Sequence, residues 1–138
     1  MKKIIDLTSL KKALASLGQA LDDYQKEHNV YIRDACIQRF EYSYELSHKM
    51  LKRHLEKTSA NPEAIDNMTF QELIRAGSER GLLLHGWTEW RRYRELRGST
   101  SHTYDESKAI EVLEKIPEFY HEAHYLLQQL IEHNEQED

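Results

Sequence analysis

Arg97, His102 and Tyr104 stand close together in the segment Arg97-Gly98-Ser99-Thr100-Ser101-His102-Thr103-Tyr104. A guanidinium is a rigid, permanently charged fork of donors that fits phosphate oxygens. Imidazole gives or takes a proton near neutral pH. The pair therefore supplies the parts that RNA cleavage without a metal requires. A ribose 2′-hydroxyl attacks, the imidazole moves a proton, and the guanidinium stabilises the charge that develops on the phosphorane. The phenol two positions after the histidine adds a third functional group at the same junction. The spacing by itself is common. An arginine near a helix end also binds free carbonyls, and a loop histidine also serves as a solvated or capping residue.

These side chains need elements to position them, and the hydrophobic periodicity supplies helices. From about Asp6 to His28, Leu10, Leu14, Leu17, Leu21 and Tyr24 recur at steps of four and three, which marks the stripe of a first helix. A second runs from roughly Tyr31 to Lys57 with Ile32, Cys36, Phe40, Ser47, Leu51 and Leu55 on one stripe, and its length makes it span the molecule. Ser59 to Asn67 contains Asn61-Pro62 and little periodicity. Thr69-Phe70-Gln71-Glu72 then spells a Thr-x-x-Glu capping box, so a short third helix begins there. Gly81 marks its stop. A fourth helix through Trp87, Trp90, Tyr93 and Leu96 runs until Gly98, where Gly98 to Ser101 reads as a break. Asp105 caps a last helix that carries Ala109, Val112, Leu113, Ile116, Tyr120, Ala123, Leu127 and Leu130 toward the core, with Pro117 as a candidate kink. Residues 133–138 are polar enough to fray. The expected architecture is all-α: one domain over residues 1–138, an antiparallel bundle of four or five helices.

Composition agrees and removes several function classes. The 138 residues include only 5 Gly and 2 Pro, leaving few turn breakers. The formal charge is −5, from 19 basic and 24 acidic residues, so any nucleic-acid site must be local rather than a property of the whole surface. The single cysteine, Cys36, cannot form an intramolecular disulfide and reads as a small buried hydrophobe. With no N-terminal apolar stretch ahead of a cleavage site, the expected location is the cytoplasm. No Gly-rich phosphate loop, Cys-x-x-Cys pair or Gly-x-Ser-x-Gly elbow is present, and no cofactor is expected.

Two further patterns carry chemistry. Arg91, Arg92 and Arg94 precede Arg97 with Trp90 and Tyr93 interleaved, which reads either as an RNA-binding strip or as core aromatics among arginines paired with Glu89, Glu95 or acids of a partner chain. Glu45-Leu46-Ser47-His48 and Glu118-Phe119-Tyr120-His121 are two Glu-x-x-His motifs, as in di-iron carboxylate bundles. The further inward-facing glutamates of such a site are missing, and Glu45 has Lys49 as a ready partner. No metal site is therefore expected.

The stretch from Arg97 to Tyr104 resembles the Arg-x4-6-His signature of HEPN domains, with the trailing tyrosine of HepT-type toxins. The resemblance extends over nearly the whole chain. It includes Ile5-Asp6-Leu7-Thr8-Ser9-Leu10-Lys11-Lys12-Ala13-Leu14, Arg33-Asp34-Ala35-Cys36-Ile37-Gln38-Arg39-Phe40-Glu41 and His102-Thr103-Tyr104-Asp105-Glu106, which are similar to the branch named nucleotidyltransferase substrate-binding proteins. Gly98 departs from the pattern, standing where HEPN motifs usually carry a polar residue such as Asn or Asp. The resemblance implies a helical homodimer whose two Arg/His motifs face a shared cleft and, in several members, metal-independent cleavage of RNA. It also implies a partner, a minimal nucleotidyltransferase of the MNT type, that silences the toxin by adding AMP to the tyrosine. Carried onto this chain, Arg97 and His102 are catalytic and Tyr104 is the acceptor. Arg33, Gln38, Arg39 and Arg94 are weaker candidates for the RNA-binding or dimer cleft. A non-catalytic adaptor that presents substrate to the nucleotidyltransferase is the alternative.

Overall fold

The computed structural model describes residues 4–136, and among these there are helices and turns but no strand. Helix α1 (Thr8–Lys26) buries Leu10, Ala13, Leu14, Leu17 and Ala20 on the stripe that its periodicity marks. Residues 27–29 turn the chain sharply into α2 (Val30–Thr58), whose first turn is capped by Asn29, with Oδ1 accepting from the Tyr31 backbone N–H at 2.7 Å. So short a connection makes α1 and α2 antiparallel neighbours. At 29 residues α2 is about 43 Å long. It packs against α1 and α6 and also touches the shorter helices, so it forms the spine of the bundle.

A five-residue helix, α3 (Pro62–Asp66), follows where the sequence showed little periodicity, which makes six α-helices among the described residues where four or five were expected. Proline at its start is compatible with helix because the missing N–H would have no partner there. Ile65 is its one buried residue, too little apolar signal for a period to be read. Helix α4 (Phe70–Glu79) opens with both bonds of the Thr69/Glu72 capping box. It stops ahead of Gly81, whose φ of 73° only glycine adopts without strain. Helix α5 (Trp87–Ser99) leads through a 3₁₀ turn, Thr100–His102, toward α6 (Glu106–Gln136). Helix α6 is continuous through Pro117 and extends beyond His133, where fraying was expected. Asn134 accounts for the extension: its side chain accepts from the Ile5 N–H at 3.1 Å and donates to the Ile5 carbonyl at 2.9 Å. Residues 137 and 138 of the expected tail lie outside the described residues.

The core is continuous across these helices, and its centre is aromatic. Phe119 of α6 is fully buried and meets Phe40 edge-on at 5.0 Å between ring centroids, Tyr93 at 5.5 Å, Tyr44 at 6.0 Å and Trp90 at 6.3 Å. Such edge-to-face contacts lock α2, α5 and α6 together. Phe119 rather than its neighbour Tyr120 holds this position; Tyr120 is half-buried and lies against Gly18, where a Cβ would approach its hydroxyl to 2.7 Å. Among the described residues, no helix is long and apolar enough to cross a membrane.

Candidate functional site

The site begins with a helix that does not stop where glycine invites it to. Gly98 is helical, and α5 continues to Ser99 before tightening into the 3₁₀ turn. Thr100 drives this tightening: its backbone N–H and its hydroxyl both donate to the Arg97 carbonyl, the hydroxyl at 2.7 Å. Buried Thr100 is thus the pivot between helix and turn, and Arg97 lies two residues before the end of α5 rather than at its last residue.

The Arg97 side chain crosses to α2. Its Nη1 donates to Thr100 Oγ1 at 3.0 Å and lies 3.1 Å from Glu41 Oε2, while Nη2 donates to Glu45 Oε1 at 2.5 Å. Glu41 Oε2, 3.0 Å from Thr100 Oγ1, is the alternative acceptor for the same hydroxyl proton. Glu41 and Glu45 are one helical turn apart, so both carboxylates face α5. The pairing of Glu45 is therefore with Arg97, 52 positions away, and not with Lys49. Beneath them, burial pushes the Tyr44 hydroxyl up to about 12, against the opposing effect of the Arg94 and Arg97 charges.

His102 ends the 3₁₀ turn and is exposed; its ring meets that of Tyr104 edge-on at 6.3 Å. Tyr104 is 88% exposed. The next residue fixes the start of α6. Asp105 Oδ1 accepts from the Ser107 N–H at 2.9 Å and from the Ser107 hydroxyl at 2.7 Å. The Ser107 hydroxyl and the backbone N–H groups of Ser107 and Lys108 hold its carboxyl below the ordinary 3.8. A depressed folded value means that the charge stabilises the fold fully above 3.8, and that this stabilisation is lost as pH falls through the lowered value. Asp105→Ala is thus expected to lower the thermal midpoint at neutral pH, with the gap to wild type closing in acid. Circular-dichroism melts across that range check this, and a gap that persists undiminished in acid would refute the capping role.

The weaker candidates divide. Arg33 lies beside the segment that follows Tyr104, with Nη1 3.6 Å from Glu106 Oε1. Gln38 is exposed on the α2 stripe that carries Glu41 and Glu45. Arg39 points the other way: its Nη1 donates to the Ser16 carbonyl of α1 at 2.8 Å, so it ties α1 to α2 and does not join the group around Arg97. Arg94 is exposed, its guanidinium 5.1 Å from the centre of the Phe70 ring. The neighbouring strip reads as core and surface pairs rather than as a stacking platform. Trp90 and Tyr93 are buried, Arg91 pairs with Glu95 at 3.6 Å, and Arg92 pairs with Glu118 at 3.7 Å. Glu45 and Glu118, the acidic halves of the two Glu-x-x-His motifs, are each drawn into an arginine pair. No three metal-ligating side chains cluster among the described residues.

Glu122 was not visible as a special residue. It is fully buried in α6 and accepts from the Leu84 N–H at 2.7 Å, the His85 N–H at 3.0 Å and His85 Nδ1 at 2.9 Å. It thereby anchors the loop leading into α5. A carboxylate on the apolar stripe between Phe119 and Leu126 was the available signal.

The chain belongs to the family described as nucleotidyltransferase substrate binding protein like, whose model matches residues 5–132. It is 40% identical over 100 residues to a Haemophilus influenzae protein named probable ribonuclease HepT, a match covering 72% of this chain and 68% of the relative. A solved Haemophilus influenzae structure, described as the substrate binding domain of a nucleotidyltransferase, superposes with a TM-score of 0.84 at 34% identity. That match covers 91% of this chain and 98% of the other.

Proposed function

We propose that this chain is a metal-independent endoribonuclease, the toxin of a HEPN/MNT toxin–antitoxin pair, acting as a homodimer in the cytoplasm. The observation that carries the reading is the turn itself: exposed His102 and exposed Tyr104 adjoin Arg97 on one short segment held by Thr100. The relative named as a probable ribonuclease supports it. In the reaction, the 2′-oxygen forms a bond to phosphorus as its proton passes to an imidazole, and the bond to the 5′-oxygen breaks as that oxygen takes up a proton. A cyclic phosphate and a free 5′-hydroxyl result. Arg97 stabilises the pentacoordinate phosphorus between the two steps. A dimer brings a second His102, so that one imidazole serves as base and the other as acid. AMP joined to Tyr104 places a phosphodiester beside these groups and competes with RNA phosphate for them.

The test is cleavage of varied RNAs by purified protein in chelator, comparing wild type with Arg97→Ala and His102→Ala, each before and after exposure to the partner transferase and ATP. Loss of cleavage in both variants and after modification of Tyr104 is expected. The second reading, an adaptor that presents substrate to the nucleotidyltransferase, is favoured by the family description and by the two carboxylates already paired with Arg97. Absence of cleavage by unmodified wild type across the RNAs would transfer the conclusion to it.

A further inference from the structure

Two carboxylates hold Arg97, and they are not equivalent. Glu41 has 33% of its side chain exposed, and its Oε2 lies 3.1 Å from Arg97 Nη1 and 3.0 Å from Thr100 Oγ1, so it belongs to the network that shapes the turn. Glu45 has 60% of its side chain exposed, and Arg97 Nη2 is the one group it bonds among the described residues. The Nη2 end of the guanidinium therefore faces solvent and carries an oxyanion that nothing else holds in place. A carboxylate oxygen and a phosphate oxygen are interchangeable partners for such a donor.

The local charge makes the consequence concrete. One guanidinium between two carboxylates leaves the cluster net negative, which opposes the approach of a polyanion. Turning the exposed Glu45 side chain out to solvent removes that opposition and frees Nη2, while Glu41 and Thr100 keep the guanidinium in place.

We infer that Glu45 is a built-in competitor for substrate phosphate: it occupies Arg97 Nη2 in the free protein and is displaced by a phosphate of the bound RNA, whereas Glu41 stays as the residue that positions Arg97. The identity of the displacing anion rests on the ribonuclease reading; the competition itself rests on the contacts of Glu45 and Arg97. Binding then favours ligands that make further contacts along the site, because an anion held at Nη2 alone displaces a tethered carboxylate only at higher concentration.

Two probes separate the two levels. The first is a 2′-O-methylated oligoribonucleotide, which cannot be cleaved, followed by fluorescence anisotropy with the full chain. Glu45→Gln is expected to tighten its binding about two- to fivefold, the upper part of the range of an exposed ion pair, and with cleavable RNA the gain appears in KM. Glu41→Gln is expected to weaken binding, because it loosens the guanidinium. The second probe is inorganic phosphate, titrated while the NMR signal of the Arg97 side-chain Nε–H is followed; Glu45→Gln lowers the midpoint by a similar factor. Circular dichroism verifies that each variant is folded. Unchanged or weaker binding of both probes by Glu45→Gln would overturn the inference. A shifted phosphate midpoint in a protein that binds no RNA would sustain the competition and remove the ribonuclease reading instead.

Discussion

Replacement of His102 by alanine is expected to reduce RNA cleavage about 10²- to 10⁴-fold, the contribution typical of a positioned acid or base, and to leave the fold intact. The second half follows from position. His102 is exposed at the end of a 3₁₀ turn, and its ring meets that of Tyr104, which is also exposed. Surface substitutions of this kind change stability by no more than about 0.5 kcal/mol. Cleavage rates and thermal melts on the same preparations check both halves. Retained cleavage in a folded His102→Ala protein would exclude the imidazole from proton transfer. Lost cleavage with a lowered melting point would show that the turn depends on it. Lost cleavage with an unchanged melt is the expected outcome.

The largest effect on stability is expected at Phe119. Replacing a fully buried phenylalanine by alanine costs about 3–5 kcal/mol, and Phe119 stands near the upper end because it touches four other aromatic rings from α2 and α5. The surroundings have little freedom to collapse into the space, since Trp90 and Phe40 are themselves fully enclosed. Urea denaturation gives the difference directly, and a loss below about 1 kcal/mol would mean that the rings do not act as a unit. The variant also bears on the site. The cluster fixes α2 against α5, and Glu41, Glu45 and Arg97 meet across that same pair of helices.

The long helices were legible in the sequence because each repeats its apolar residues often enough to define a face, as Leu10, Leu14 and Leu17 do in α1. The capping box was legible because its partners are three residues apart and interact only with one another. The five-residue α3 was not, because a single buried isoleucine has no period. Gly98 misled for a physical reason. Glycine lowers helix propensity, but the Thr100 hydroxyl and N–H on the Arg97 carbonyl carry the helix past it. In the candidate site, the closeness of Arg97, His102 and Tyr104 follows from their order in the chain. The Glu45 contact was not legible, since a bond spanning 52 positions depends on how two helices cross and leaves no local trace. The bond from Arg39 to the α1 carbonyl of Ser16 was illegible for the same reason, since that partner is found only in the folded chain.

The grip of Asn134 on the peptide unit of Ile5 has a meaning for the order in which the chain folds. The two residues are separated by 129 positions, so closing that loop before the intervening helices have assembled carries a large entropic cost for two hydrogen bonds. The α1–α2 hairpin, joined by a three-residue connection, has no such delay and is the natural early structure. The clasp is then a late seal on the seam between α1 and α6. By the same reasoning it is the first part to open, and amide exchange at Ile5 should outpace exchange at Phe119, which is released only when the bundle as a whole comes apart.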